Sequence, residues 1–377
     1  MRVLHVYSGN LFGGIEAILL SIARAQVRAP GATHEFALTF EGRLSEELDA
    51  AGARVHRLPG VRASRPHSAR AARRALARIL DDGVDRVVCH APWAQGIFGR
   101  VALDAGVPLV FWAHDTMSGR HWTERLARLA VPDLAIANST YTAQSLPRLY
   151  PNVPSSVIYA PVFLPEPSEA LEDRTDIRRS LETSETAVVI VTASRAEAWK
   201  GHLLLVDALA ELEDVPGWVW WQVGGAQRPA ESRFLQQVQR AAADRRIADR
   251  VRWLGERRDV PRLLAAADVH CQPNLAPEPF GVAFVEALAA GLPVVTADLG
   301  GAREIVDERC GVLVPPNDRA ALASALRRLV LDSALRQALA SEGPARARRL
   351  CDPASQLQRL DATLGELALT PAGALRP

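Results

Sequence analysis

The 377-residue chain predicts an α/β protein of two doubly wound parallel sheets, and three observations carry that prediction. Short apolar runs alternate with longer amphipathic stretches, the pattern of repeated strand–helix–strand units. The pattern restarts near residue 187, so two series are expected rather than one oversized sheet. Between the series, Pro151, Pro154, Pro161, Pro165 and Pro167 precede the acidic residues 169–176, which reads as a linker. The length suits two domains, each able to bury its own core.

In the first series, strands are expected over residues 3–7, 35–39, 86–90, 109–113 and 134–138, each a short run rich in apolar residues. Helices are expected between them over 16–28, 69–80 and 96–105. The stretch 69–80 shows its period plainly, with Arg70, Arg73, Arg74 and Arg78 opposite Leu76, Ile79 and Leu80. The second series predicts strands over 187–193, 218–224, 251–254, 269–273, 293–296 and 312–314. Its helices are expected over 203–211, 231–245, 260–266, 282–290 and 319–331. Doubly wound sheets bind ligands beyond the C-terminal ends of their strands, so a cleft between the two domains is the expected site.

The formal net charge of +1 conceals an asymmetry: residues 1–165 carry +5 and the remainder −4. A near-neutral total argues against a nucleic-acid binder. Of 44 basic residues, 43 are arginine and one, Lys200, is lysine. Cys89, Cys271, Cys310 and Cys351 are far apart and lack zinc-ligand spacing, so free buried thiols in a reducing compartment are expected. No run reaches the ~18 apolar residues that span a bilayer, and the N-terminus reads as a buried strand rather than a signal peptide. A cytoplasmic protein is expected. The arginine stripe at 70, 73, 74 and 78 fits a solvated face, or a peripheral contact with anionic lipid or a lipid-linked acceptor.

Three segments carry candidate chemistry. After the first strand, Gly13 and Gly14 stand where a helix begins, as a tight turn or as amides facing a phosphate or sugar. After residue 193, Arg195 and Lys200 occupy a strand-end loop, a planar fork and a compact charge suited to a diphosphate. In Glu278-Pro-Phe-Gly-Val-Ala-Phe-Val-Glu286, two carboxylates flank a loop-to-helix transition. There the amides of Phe280, Gly281 and Val282 favour an anion, and a carboxylate can accept from vicinal hydroxyls. Trp218, Trp220 and Trp221 read as core, whereas Trp112 and Trp122 are candidates for stacking on a ligand.

Glu278-x7-Glu286 with its continuation to Pro293, together with Gly300-Gly-Ala-Arg-Glu304 and Gly311-Val-Leu-Val-Pro-Pro, resembles the retaining GT-B glycosyltransferases of group 1, or family 4. The loop from Arg195 to Lys200-Gly201, Gly224-Gly225, Gly13-Gly14, His114-Asp115 and Asn138-Ser139 match in the same order. The resemblance implies the GT-B fold, two Rossmann-like domains facing across a cleft. It places an acceptor-binding domain at 1–164, a linker at 165–186 and a donor-binding domain at 187–354, with a final helix at about 355–377 packing back on the first domain.

It further implies transfer of a hexose from a UDP- or GDP-sugar to a hydroxyl acceptor, saccharide or lipid-linked, with no metal and no cofactor. Arg195 and Lys200 would hold the diphosphate, with Gly224 beside them. Glu278 and the amides of 280–282 would hold the sugar, and Glu286 the ribose. His114 would flank the sugar, and Gly13 and Gly14 would close over the phosphates. The sequence departs from the family at Ile158-Tyr-Ala-Pro161, where relatives carry Asn-Gly, and at Asn274, where they carry Ser. Another sugar-nucleotide enzyme such as an epimerase, or an inactive sugar-nucleotide-binding partner, remains an alternative.

Overall fold

The computed structural model describes residues 1–28, 31–62, 65–162 and 174–367, with the backbone alone of residue 66. The chain divides into two compact units, residues 1–162 with 351 onward, and residues 163–350.

Unit 1 begins with β1 (Arg2–Tyr7), α1 (Gly14–Gln26), β2 (Thr33–Leu38), α2 (Arg43–Ala50) and β3 (Arg54–Arg57). It continues through α3 (Pro66–Asp81), β4 (Arg86–His90), α4 (Ala91–Asp104), β5 (Leu109–Ala113) and α5 (Trp122–Ala127). The series ends with β6 (Leu134–Ala137), α6 (Thr140–Ala143) and β7 (Ser155–Val157). All pairings are parallel, in the order β3-β2-β1-β4-β5-β6-β7. The central strands are buried on both faces, β4 and β5 without an exposed residue, which is why they read as continuous apolar runs.

Unit 2 opens with α7 (Arg174–Ser180), β8 (Val188–Ala193), α8 (His202–Ala210), β9 (Trp218–Val223) and α9 (Pro229–Asp244). Next come β10 (Val251–Gly255), α10 (Val260–Ala266), β11 (Val269–Gln272), α11 (Val282–Ala289), β12 (Val294–Ala297), α12 (Ala302–Ile305) and β13 (Gly311–Val314). Two helices, α13 (Arg319–Leu331) and α14 (Ser333–Cys351), follow. The parallel order β10-β9-β8-β11-β12-β13 repeats the winding of unit 1. Trp218, Trp220 and Trp221 are core residues, each at most 2% exposed.

The last helix, α15 (Pro353–Gly365), belongs to unit 1. It lies on α1 and buries Leu357, Leu360 and Leu364, each worth about 1.5–3 kcal/mol of apolar burial. The Arg86 guanidinium reaches it, donating from Nε to the Leu364 carbonyl at 3.0 Å. Residues 368–377 of the expected final helix lie outside the described residues.

Several features depart from the sequence reading. Residues 165–173 of the expected linker lie outside the described residues, but 174–180 are helix α7 and not linker. Arg178, fully buried, donates to Asp268 Oδ2 at 2.6 Å and to the carbonyls of Ala266 and Ala187 at 2.9 Å, anchoring α7 to the strand starts of unit 2. The dividing points therefore fall at 162 and 350, rather than at 164, 187 and 354. β7 occupies part of the proline-rich segment as an edge strand, where prolines on either side do no harm to the ladder. Of the arginine stripe on α3, Arg70, Arg74 and Arg78 are exposed. Arg73 instead turns toward α4 and donates to the Ile97 carbonyl at 2.7 Å. All four cysteines are buried, and none is in a disulfide.

Candidate active site

In unit 2 the strand order reverses between β8 and β11, and the loops leaving these two strands carry the expected residues. After Ala193, the backbone turns at Ser194, and Gly224 at the end of β9 lies against the Ser194 carbonyl so closely that a Cβ would collide with it. Arg195 is held between two carboxylates, Glu231 Oε1 at 2.9 Å and Glu197 Oε1 at 3.0 Å. A single 3-10 turn then brings Lys200 inward. Gly201 follows at φ +80°, pressed against the Pro273 carbonyl, a place for glycine alone. Leu275 N–H donates to the Trp199 carbonyl at 2.7 Å, so the loop after β8 is fastened to the loop after β11.

Lys200 Nζ lies 2.7 Å from Glu278 Oε2 and 3.9 Å above the Trp199 ring. The same carboxylate oxygen accepts from Asn274 Nδ2 at 2.9 Å and from Gln272 Nε2 at 3.3 Å. Three donors thus converge on one oxygen, while Oε1 takes no partner among the described residues. Both side chains are largely buried, Lys200 14% and Glu278 12% exposed. Partial desolvation strengthens the pair and concentrates its field. Phe280 is buried, and Gly281 caps α11 ahead of Val282. Glu286 stands further along α11, its carboxyl without a hydrogen-bond partner among the described residues. The residue is half-buried, and burial pushes its carboxyl pKa up to about 7.

In unit 1, Gly13 N–H donates to Glu16 Oε2 at 2.9 Å, and Tyr7 Oη donates to Glu16 Oε1 at 2.9 Å. The Gly13 amide is thus engaged within the turn, and Gly14, the first residue of α1, is the exposed one. His114 directly follows β5. Its Nε2 lies 2.8 Å from His90 Nδ1, whereas its Nδ1 is buried without a partner among the described residues. Burial pushes its pKa down to about 3, so the ring is neutral. Trp112 does not offer a stacking platform to a ligand: it is 1% exposed and lies against the rings of His90 and His114. Trp122 is 54% exposed. Asn138 donates from Nδ2 to the His114 carbonyl at 3.3 Å, and Ser139 caps α6.

The structure therefore gathers Arg195, Lys200, Gly224 and Glu278 at the strand ends of unit 2, with residues 280–282 and Glu286 on and before α11. Gly13, Gly14 and His114 stand at the strand ends of unit 1. Sequence reasoning missed Glu231, Glu197 and Gln272 as partners of the charged residues. Glu231 lies 36 residues beyond Arg195, in a separate helix, and only the fold brings the two together.

Residues 173–346 match the family described as glycosyl transferases group 1, and residues 12–164 match glycosyltransferase family 4. A D-inositol 3-phosphate glycosyltransferase of Actinosynnema mirum is 32% identical over 300 residues, covering 73% of this chain and 71% of that protein. The phosphatidyl-myo-inositol mannosyltransferase of Mycobacterium leprae is 40% identical over 123 residues, which span 31% of this chain and only 33% of that relative's length. Among solved structures, Anabaena HepE in complex with UDP and glucose superposes with a TM-score of 0.83 at 27% identity, covering 97% of this chain and 100% of that one.

Proposed function

The chain belongs to the group 1 glycosyltransferases, with the GT-B fold, and from that premise we propose that it moves a hexose from a nucleoside diphosphate sugar, UDP- or GDP-linked, to a hydroxyl acceptor with retention of configuration and without a metal. The observation that carries the reading is the contact of Lys200 with Glu278, in the strand-end loop of unit 2 that also carries Arg195. An arriving diphosphate competes for both cations. Its leaving oxygen gains negative charge as the bond to the sugar breaks, and Lys200 and Arg195, already in place, offset that charge. Glu278 Oε1, without a partner among the described residues, accepts from hydroxyls of the transferred sugar, and Glu286 accepts from the ribose. Gly224 and the amides of residues 280–282 allow close approach of the donor's phosphates and sugar. On the retaining route, the acceptor oxygen bonds to the anomeric carbon on the face the diphosphate leaves, and the acceptor's proton passes to the departing phosphate.

The HepE complexes with UDP, UDP-glucose and glucose support a UDP-sugar donor. The relatives named for inositol phosphate, phosphatidylinositol and lipopolysaccharide support a polyol or lipid-linked acceptor. Exposed Arg70, Arg74 and Arg78 suit a peripheral contact with an anionic membrane at its cytoplasmic face. Among the described residues, no helix is long and apolar enough to cross one.

The test is turnover of UDP-glucose and GDP-mannose, donors chosen as probes, in wild type and Lys200→Ala. Loss of a preorganised donor is expected to lower kcat by about 100-fold or more, with the melting temperature nearly unchanged and the wild-type rate insensitive to EDTA. Full activity in Lys200→Ala would remove Lys200 from the reaction.

A further inference from the structure

Four histidines, three in parallel strands and His114 just past a fourth, stand in hydrogen-bonded line across the sheet of unit 1. His114 Nε2 lies 2.8 Å from His90 Nδ1, His90 Nε2 lies 2.8 Å from His5 Nδ1, and His5 Nε2 lies 2.9 Å from His34 Nδ1. At the far end, His34 Nε2 lies 3.0 Å from Asp361 Oδ1 on α15. Successive ring centroids are 5.1 Å apart, and Trp112 covers the His90 and His114 rings. His5 and His90 are fully buried, and His34 is 1% exposed.

We propose that Asp361 is a positioning residue that fixes the tautomer of His114 through His34, His5 and His90, so that His114 presents a bare Nδ1 lone pair to a ligand hydroxyl. A neutral imidazole has one donor and one acceptor, so a row of them joined nitrogen to nitrogen has only two arrangements. A carboxylate decides between them, because it only accepts. Burial works against the Asp361 charge, but hydrogen bonds from His34 and the Ala32 amide hold its pKa below the ordinary range. His34 then donates from Nε2 to Asp361 and accepts at Nδ1. His5 donates from Nε2 to His34, His90 from Nε2 to His5, and His114 from Nε2 to His90. The one ring nitrogen left over is His114 Nδ1, buried and without a partner among the described residues, as this direction requires. An unpaired buried acceptor is costly; a ligand O–H satisfies it, whereas a phosphate or carboxylate oxygen is repelled by it.

Asp361→Asn reverses the row for a geometric reason. The Ala32 N–H donates to Asp361 Oδ2 at 2.9 Å, so the asparagine oxygen must stay with Ala32 and its NH2 must face His34 Nε2. That nitrogen becomes an acceptor, and each ring turns over in succession. The ring nitrogens of the 15N-histidine-labelled full chain, observed without ligand at pH 8 and assigned with His114→Gln, report the tautomer directly. In wild type His114 is expected to be protonated at Nε2, and in Asp361→Asn at Nδ1. In a His5→Phe background, where the row is cut, Asp361→Asn should leave His114 unchanged. Asp361 serving only to dock α15 would lower the melting temperature without moving the His114 tautomer. That result, or a wild-type His114 protonated at Nδ1, would overturn the proposal. The hydroxyl half rests on the glycosyltransferase reading and is tested separately by adding UDP-glucose. A ligand-induced shift at His114 Nδ1 is expected, and its absence while the tautomers behave as described would count against that half alone.

Discussion

At the scale of single residues, Glu286 shows how burial without a partner turns into a pH dependence. Its pKa rises from an ordinary 4.5 to about 7 in the folded chain. A carboxyl whose folded pKa is raised holds its proton longer in the native state. Its contribution to stability is therefore complete below pH 4.5 and is lost as the pH climbs to about 7. At about 1.4 kcal/mol per unit, a rise of about 2.5 units puts the loss on the order of 3 kcal/mol. Glu286→Gln is expected to flatten the fall in denaturant-derived stability between pH 5 and pH 8, while weakening UDP binding, measured by calorimetry at pH 8, by about tenfold or more. Glu286, Glu278, Arg195 and Lys200 were legible in the sequence because each lies in a short local motif. His5, His34 and His90 were not. They come from separate strands, and only the parallel register sets one beside the next; nothing in the linear spacing marks them.

At the scale of elements, the loops at the ends of β8 and β11 keep their form because one residue between them has no side chain. Gly201→Ala forces a Cβ into the Pro273 carbonyl at a φ that L-residues avoid. It is expected to destabilise unit 2 by about 2–5 kcal/mol, seen as a lower urea midpoint, and to cost transfer activity even under conditions where the chain remains folded. Central strands and amphipathic helices were readable from periodicity, because burial on two faces or on one leaves a regular trace. Elements held by other means were not. β3 is a four-residue edge strand, Arg-Val-His-Arg, with exposed ends. α7 is fastened by the buried Arg178 rather than by an apolar stripe. α14 contains Gly343-Pro344 in its interior, a pair that ordinarily marks a break.

At the scale of the whole molecule, unit 1 is assembled from two separated stretches of chain and unit 2 from one. Leu360→Ala on α15 is expected to cost about 2–5 kcal/mol. Hydrogen exchange should place that loss in β1, β2 and α1 and leave β8–β13 unchanged; a loss spread evenly over both sheets would contradict the division of the chain. The two-sheet architecture was visible in the restart of the strand–helix pattern. The dividing points were not, since they depend on which helix packs against which core, a matter of contacts far apart in sequence.

The discontinuity also has a bearing on the order in which the protein is made. Unit 2 is a single uninterrupted stretch, so all of it is translated before α15 is. The N-terminal sheet, though synthesised first, must wait through nearly two hundred further residues for the helix that covers α1 and supplies Asp361. During that interval it has an open apolar flank, with Arg86 lacking the Leu364 carbonyl and His34 lacking Asp361. Delay at that point, rather than in either sheet, is where a nascent chain of this protein is most exposed to misassembly.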